Sequence, residues 1–171
     1  MQTVRLARLA LPGALAAALL APSAIAQQPG PDYRSLFVKS GKKTVQAKLG
    51  AYCHPNAGPA GECGGDFSRQ GMGAITVRRD GELLLLLRYT ASEVEWQAAR
   101  LTSSGKETGV RTGRAVAKKR TKGKRWVFTL PRNLSKSTKL LRFNVRYPHA
   151  FSSFQLGVTK VLDPVATSKT R

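Results

Sequence analysis

L-L-R-F-N-V-R-Y, Leu140 to Tyr147, places Leu141, Phe143, Val145 and Tyr147 on one parity and Arg142, Asn144 and Arg146 on the other. Successive side chains of an extended chain point to opposite faces, so this stretch reads as a strand with one packed and one wet face. The same period of two recurs in W-V-F-T-L, where Trp126, Phe128 and Leu130 share a face. It recurs again in T-V-Q-A-K-L-G-A-Y, with Val45, Ala47, Leu49 and Ala51 together. No stretch of helical length keeps a period of 3.6.

Working outward, runs near 34–38, 43–53, 73–79, 82–90, 94–102, 114–120, 124–130, 138–147 and 154–162 give nine candidate strands. Turn signals separate several of them: Asp80-Gly81, Ser104-Gly105, Lys122-Gly123 and Pro148-His149. Asp80-Gly81, between A-I-T-V-R-R and E-L-L-L-L-L, reads as a two-residue hairpin. Short strands at this spacing predict a sandwich or a barrel, and the size favours an all-β, immunoglobulin-like β-sandwich forming a single domain over 33–164. The inter-sheet disulfide of immunoglobulins is not expected, because Cys53 and Cys63 stand too close in sequence.

Leu83 to Leu87 breaks the pattern, since five leucines in a row cannot alternate. Either this is a central strand whose outer face is covered, or Leu84 and Leu86 belong to a protein interface.

The ends of the 171-residue chain differ in kind from its middle. Arg5 and Arg8 precede a leucine and alanine run, which closes on A-P-S-A-I-A with small residues at Ala24 and Ala26. That order reads as a secretory signal peptide over 1–26. The apolar run is shorter than the roughly 20 residues of a membrane span, so no transmembrane segment is expected in the mature chain. Residues 27–32, with Pro29 and Pro31, read as a linker, and 165–171 as a polar tail. The expected location is extracytoplasmic.

Two cysteines in an exported chain favour a disulfide, and the Pro- and Gly-rich run between Cys53 and Cys63 can bend enough to allow one. Zinc lacks a second ligand pair. A copper set of Cys53, His54, Met72 and His149 lacks the short loop that gathers such ligands, and Glu62 with Asp66 is a sparse calcium set. No metal or cofactor is expected.

Gly50-Ala51-Tyr52-Cys53-His54, followed by Cys63 and Asp66, is similar to a G-S-Y-C-W then C-x-D pattern of small secreted or lipoprotein bacterial domains of unassigned function. Ala51 stands at the serine and His54 at the tryptophan, over about 17 residues. The resemblance implies a strand that enters a disulfide-closed loop.

Charge is the strongest compositional signal. The chain carries 29 Lys plus Arg against 9 Asp plus Glu, a formal net charge of +20. Removing Arg5 and Arg8 with the signal peptide leaves 27 minus 9, or +18. No acid stands between Glu107 and Asp163, an interval holding fourteen Lys or Arg. Eight of these, Arg111, Arg114, Lys118, Lys119, Arg120, Lys122, Lys124 and Arg125, fall within 15 residues. A hairpin turning at Lys122-Gly123 would make them a cationic finger, with Arg142 and Arg146 adding charge from a strand face. Such a cluster serves either as a solvated, aggregation-resistant edge or as a site for a polyanion.

An anionic envelope polymer or glycan fits the expected compartment better than nucleic acid, for which no reading motif is present, so no specific nucleic-acid partner is expected. A hydrolase reading would use His149 as base beside Ser152 or Ser153, and Glu93 with Glu95 offers a carboxylate pair on one strand face. Neither assembles a catalytic constellation, and the expectation is a non-catalytic binding protein.

Overall fold

The computed structural model describes residues 33–54, 61–66 and 68–165. The expected signal peptide (1–26) and linker (27–32), most of the loop inside the cysteine pair and residues 166–171 of the expected tail lie outside the described residues. Among the described residues eleven strands form: β1 (Leu36–Ser40), β2 (Lys43–His54), β3 (Glu62–Gly65), β4 (Ala74–Arg78), β5 (Glu82–Leu87), β6 (Glu93–Leu101), β7 (Glu107–Arg114), β8 (Val116–Ala117), β9 (Arg125–Thr129), β10 (Thr138–Tyr147) and β11 (Ala150–Leu162). The described residues form an all-β sandwich, in keeping with their period of two.

Hydrogen bonding runs in the order β7-β6-β10-β11-β2-β1-β5-β9-β8, with β3 added to β2 and β4 added to β11. One strand carries this path from one layer to the other. Residues 43–47 of β2 pair with β1, whereas Lys48 to Cys53 pair with β11. Where β2 turns into the first layer, β4 takes its place along β11, in parallel register from Gly157↔Ala74 to Leu162↔Arg78. The far ends of the path are also joined. β7 continues through buried Ala115, whose N–H donates to Val94 O at 2.9 Å, into β8. A strand that passes from one layer to the other at each side is how a sandwich approaches a barrel.

The core lies between the layers. Leu36 and Val38 of β1, Leu83, Leu85 and Leu87 of β5, and Trp126 and Phe128 of β9 face Val94, Trp96, Leu141, Phe143, Val145, Phe154 and Leu156. Trp96 stacks on Phe128 at 5.2 Å between centroids, and Phe128 meets Phe143 edge-on at 5.8 Å. Each such side chain contributes about 1.5–3 kcal/mol on leaving water.

Three expectations need correction. Asp80-Gly81 does form a tight turn, with Asp80 at φ 54° and Gly81 N–H donating to Arg78 O at 3.0 Å. It is a corner between layers and not a hairpin, because β4 pairs with β11 while β5 pairs with β1 and β9. The β9–β10 connection holds it: Asp80 N–H donates to Leu130 O and Leu130 N–H to Gly81 O. Second, β3 and most of β7 lie outside the nine runs. E-C-G-G and E-T-G-V-R-T-G-R lack apolar alternation because both lie at margins, exposed for much of their length. Third, β11 starts at Ala150, four residues early.

The leucine run does alternate in space. Leu83, Leu85 and Leu87 are buried, and Leu84 and Leu86 are half-buried on the outer face.

Candidate functional site

The basic segment divides according to which strand holds each side chain. Arg111 and Arg114 belong to β7, Arg125 opens β9, and Lys118 to Lys124 connect β8 to β9. Lys118, Lys119, Arg120, Lys122, Lys124 and Arg125 are all exposed. Among the described residues none of these six enters an ion pair.

Their loop is docked, not projecting. Lys118 N–H donates to Arg125 O at 2.8 Å, and Thr121 Oγ1–H donates to Lys118 O at 2.7 Å. On the other side, Leu87 N–H donates to Lys124 O, and Gly123 O accepts both Ala91 N–H (3.0 Å) and Trp126 Nε1–H (2.8 Å). Gly123 has φ +66°, and a Cβ there would stand 2.6 Å from Ala91 O, so glycine is what lets the loop lie so close. Arg120 (φ 63°) and Lys122 (φ 47°) also occupy the left-handed region. That region disfavours long side chains, and holding two cations in it takes a loop fixed by its surroundings.

The remaining expected anion-binding residues stand apart. Arg114 and Arg146 share Glu93, at 3.2 and 3.7 Å. Arg142 pairs with Glu107, which Arg69 also approaches at 3.8 Å. Arg146 still neighbours the loop, because Ser92 N–H donates to Arg146 O while the adjacent Ala91 binds Gly123. Arg142 lies four residues farther along β10, about 13 Å away at strand rise. Arg111 sits opposite Ala98 in β7. Of the ten cations, six therefore form a docked, uncompensated loop, Arg114 and Arg146 share one carboxylate and Arg142 another on the other layer, and Arg111 stands apart from all of these.

The cysteine region is a second polar centre. Cys53 and Cys63 are bonded across the β2–β3 pair. Glu62 accepts from both guanidinium contacts of Arg34, at 2.7 and 2.8 Å, and from Tyr52 Oη–H at 2.7 Å. The Tyr52 hydrogen bond, then Arg34, hold the Glu62 carboxyl below its usual range, and the same bond raises the Tyr52 phenol. Asp66 is drawn into a different pair. Lys48 Nζ at 2.7 Å and Ser68 N–H at 2.8 Å lower its pKa to about 2.

Buried His54 packs between Tyr33 and Tyr52, each ring 5.1 Å away. Its Nε2 lies 3.2 Å from Ser152 Oγ, whose proton goes to Tyr33 O at 3.0 Å. A serine that donates elsewhere and is fully buried is not poised as a nucleophile, so this contact is a structural one. His149 stands exposed in the β10–β11 turn, while Ser152 points to His54. Glu93 is held by two arginines.

Leu84 and Leu86 are the outward leucines that the sequence offers to an interface, and the apolar surface around them extends farther than the sequence reading gives. The outer face of β1, β5 and β9 is apolar as well as basic, with Phe37, Leu84, Leu86 and Val127 facing out beside exposed Val116 of β8. Its signal was apolar residues on the outward parity of three runs at once.

Compared with protein-family models and with curated proteins, the sequence matches neither.

Proposed function

We propose that this protein is a non-catalytic, extracytoplasmic binding module that holds an anionic polymer against the loop between β8 and β9. The observation that carries the reading is the docked loop itself, where six exposed cations have no carboxylate partner among the described residues. A merely solubilising edge needs charge but no fixed backbone. Here the carbonyls of Gly123 and Lys124 bolt the segment to residues 87–91, so the charges are presented in a set arrangement. Uncompensated cations held together attract a polyanion and lose that attraction as salt rises. The disulfide suits an oxidising compartment. No helix among the described residues is long and apolar enough to cross a membrane.

The test is binding to an acidic polysaccharide, polyphosphate and duplex DNA at low and physiological salt. We expect binding that survives physiological salt and falls at least tenfold in the variant Lys118→Glu, Lys119→Glu, Arg120→Glu. Equal binding by wild type and variant would refute the assignment of the loop.

A further inference from the structure

We infer that the outer face of β1, β5, β9 and β8 docks on an anionic lipid bilayer, with the basic loop engaging headgroups and the apolar strip reaching the acyl boundary. This rests on the proposed reading of the loop as the anion-binding element and goes beyond it, from an anionic polymer to an anionic lipid surface.

The strip is continuous because pairing puts its members side by side. Phe37 lies opposite Leu86, Leu84 opposite Val127, and Val127 opposite Val116. Leu84 and Leu86 are two residues apart on one face, so the five side chains form one patch. Phe37 is 41% exposed and Val116 71%, and both adjoin the half-exposed Leu84, Leu86 and Val127, so the exposure is contiguous.

Cations frame it. Lys39 sits opposite Leu84, Arg125 opposite Leu86, and Lys118, two residues beyond Val116, is bonded through its N–H to Arg125 O. The acid on this face, Glu82, lies opposite Thr129, at the end away from the loop. A shallow depression lined by Arg114, Val116, Lys118, Val127 and Thr129 continues the patch at its β8 margin, where Glu82 also lines it, one carboxylate beside two cations.

A soluble polyanion would satisfy the loop but leave the strip in water. An anionic bilayer offers both chemistries in the right order, charge at the surface and hydrocarbon beneath it. Charge complementarity therefore selects the lipid surface over a neutral apolar partner.

The purified protein would be sedimented with phosphatidylglycerol–phosphatidylcholine vesicles and with phosphatidylcholine vesicles, and titrated in parallel with polyphosphate. We expect wild type to partition onto the anionic vesicles and not the neutral ones. The double variant Phe37→Ser, Val116→Ser should lose vesicle affinity at least tenfold and keep its polyphosphate affinity within about twofold. The Lys118, Lys119, Arg120 reversal should lose both. Thermal unfolding checks each variant, and Val116→Ser alone carries the test if the double variant fails to fold.

Undiminished vesicle binding by Phe37→Ser, Val116→Ser overturns the inference. So does a wild type that holds polyphosphate but ignores anionic vesicles, and this leaves the proposed function standing. A wild type that ignores vesicles and forms a dimer dissociated by the serine variants overturns it in favour of a second copy. Failure to bind either probe refutes the proposed function itself.

Discussion

Asp66 shows how much a single exposed carboxylate can contribute when its partners are fixed. Lys48 and the Ser68 backbone lower its pKa from 3.8 to about 2 in the folded protein. A folded-state value below the unfolded one means that the stabilisation is present above the unfolded pKa. It is lost as pH falls through the folded value. The difference in melting temperature between wild type and Asp66→Asn should therefore be full above about pH 5 and narrow as pH falls toward 2. A gap that stays constant across that range would show that the ion pair with Lys48 is not its source. Residues of this kind are only partly legible in sequence. Cys53 and Cys63 could be paired from parity and from the bendable run between them, but Lys48 to Asp66 and His54 to Ser152 are contacts across 18 and 98 positions that only folding creates.

At the scale of the element, β5 separates burial from composition. Its five leucines are identical in the sequence and alternate in the structure, so identical truncations should have unequal costs. Leu85→Ala, at a fully buried position between β1 and β9, should destabilise by about 2–5 kcal/mol. Leu86→Ala, on the half-exposed face, should cost under about 1 kcal/mol. Urea unfolding of the two variants checks this, and equal costs would mean that both faces of β5 are packed. The run was ambiguous beforehand because periodicity carries no information when every residue is the same. The Asp80-Gly81 turn was legible as a turn and misleading as a hairpin. Local sequence sets the reversal, whereas the partner of each arm depends on the Leu130 backbone contacts, 50 residues away.

For the whole molecule, the sandwich followed from alternation in a few strands, and the route by which β2 serves both layers did not. Nothing at Ala47-Lys48 marks the change of partner; the second set of neighbours comes from the other end of the chain. The disulfide acts at this scale too. It ties marginal β3 to β2, and closing about 11 residues should stabilise the fold by roughly 2.5–3 kcal/mol. Replacing both cysteines by serine should lower stability by that amount in denaturant titration and leave the core spectroscopically intact. A loss near zero would mean that the pairing of β2 with β3 is held without it.

The position of β11 has a further consequence, for the timing of assembly. It is the last of the described strands in sequence, yet it stands between β10 and β2, supports β4 in parallel, and brings Phe154, Leu156, Val158 and Val161 to the core. A growing polypeptide that has reached Tyr147 has made ten strands and still cannot close the layer they belong to. Three of them, β2, β4 and β10, wait for an interior partner that is synthesised after the other ten described strands. Closure of that layer therefore waits on β11.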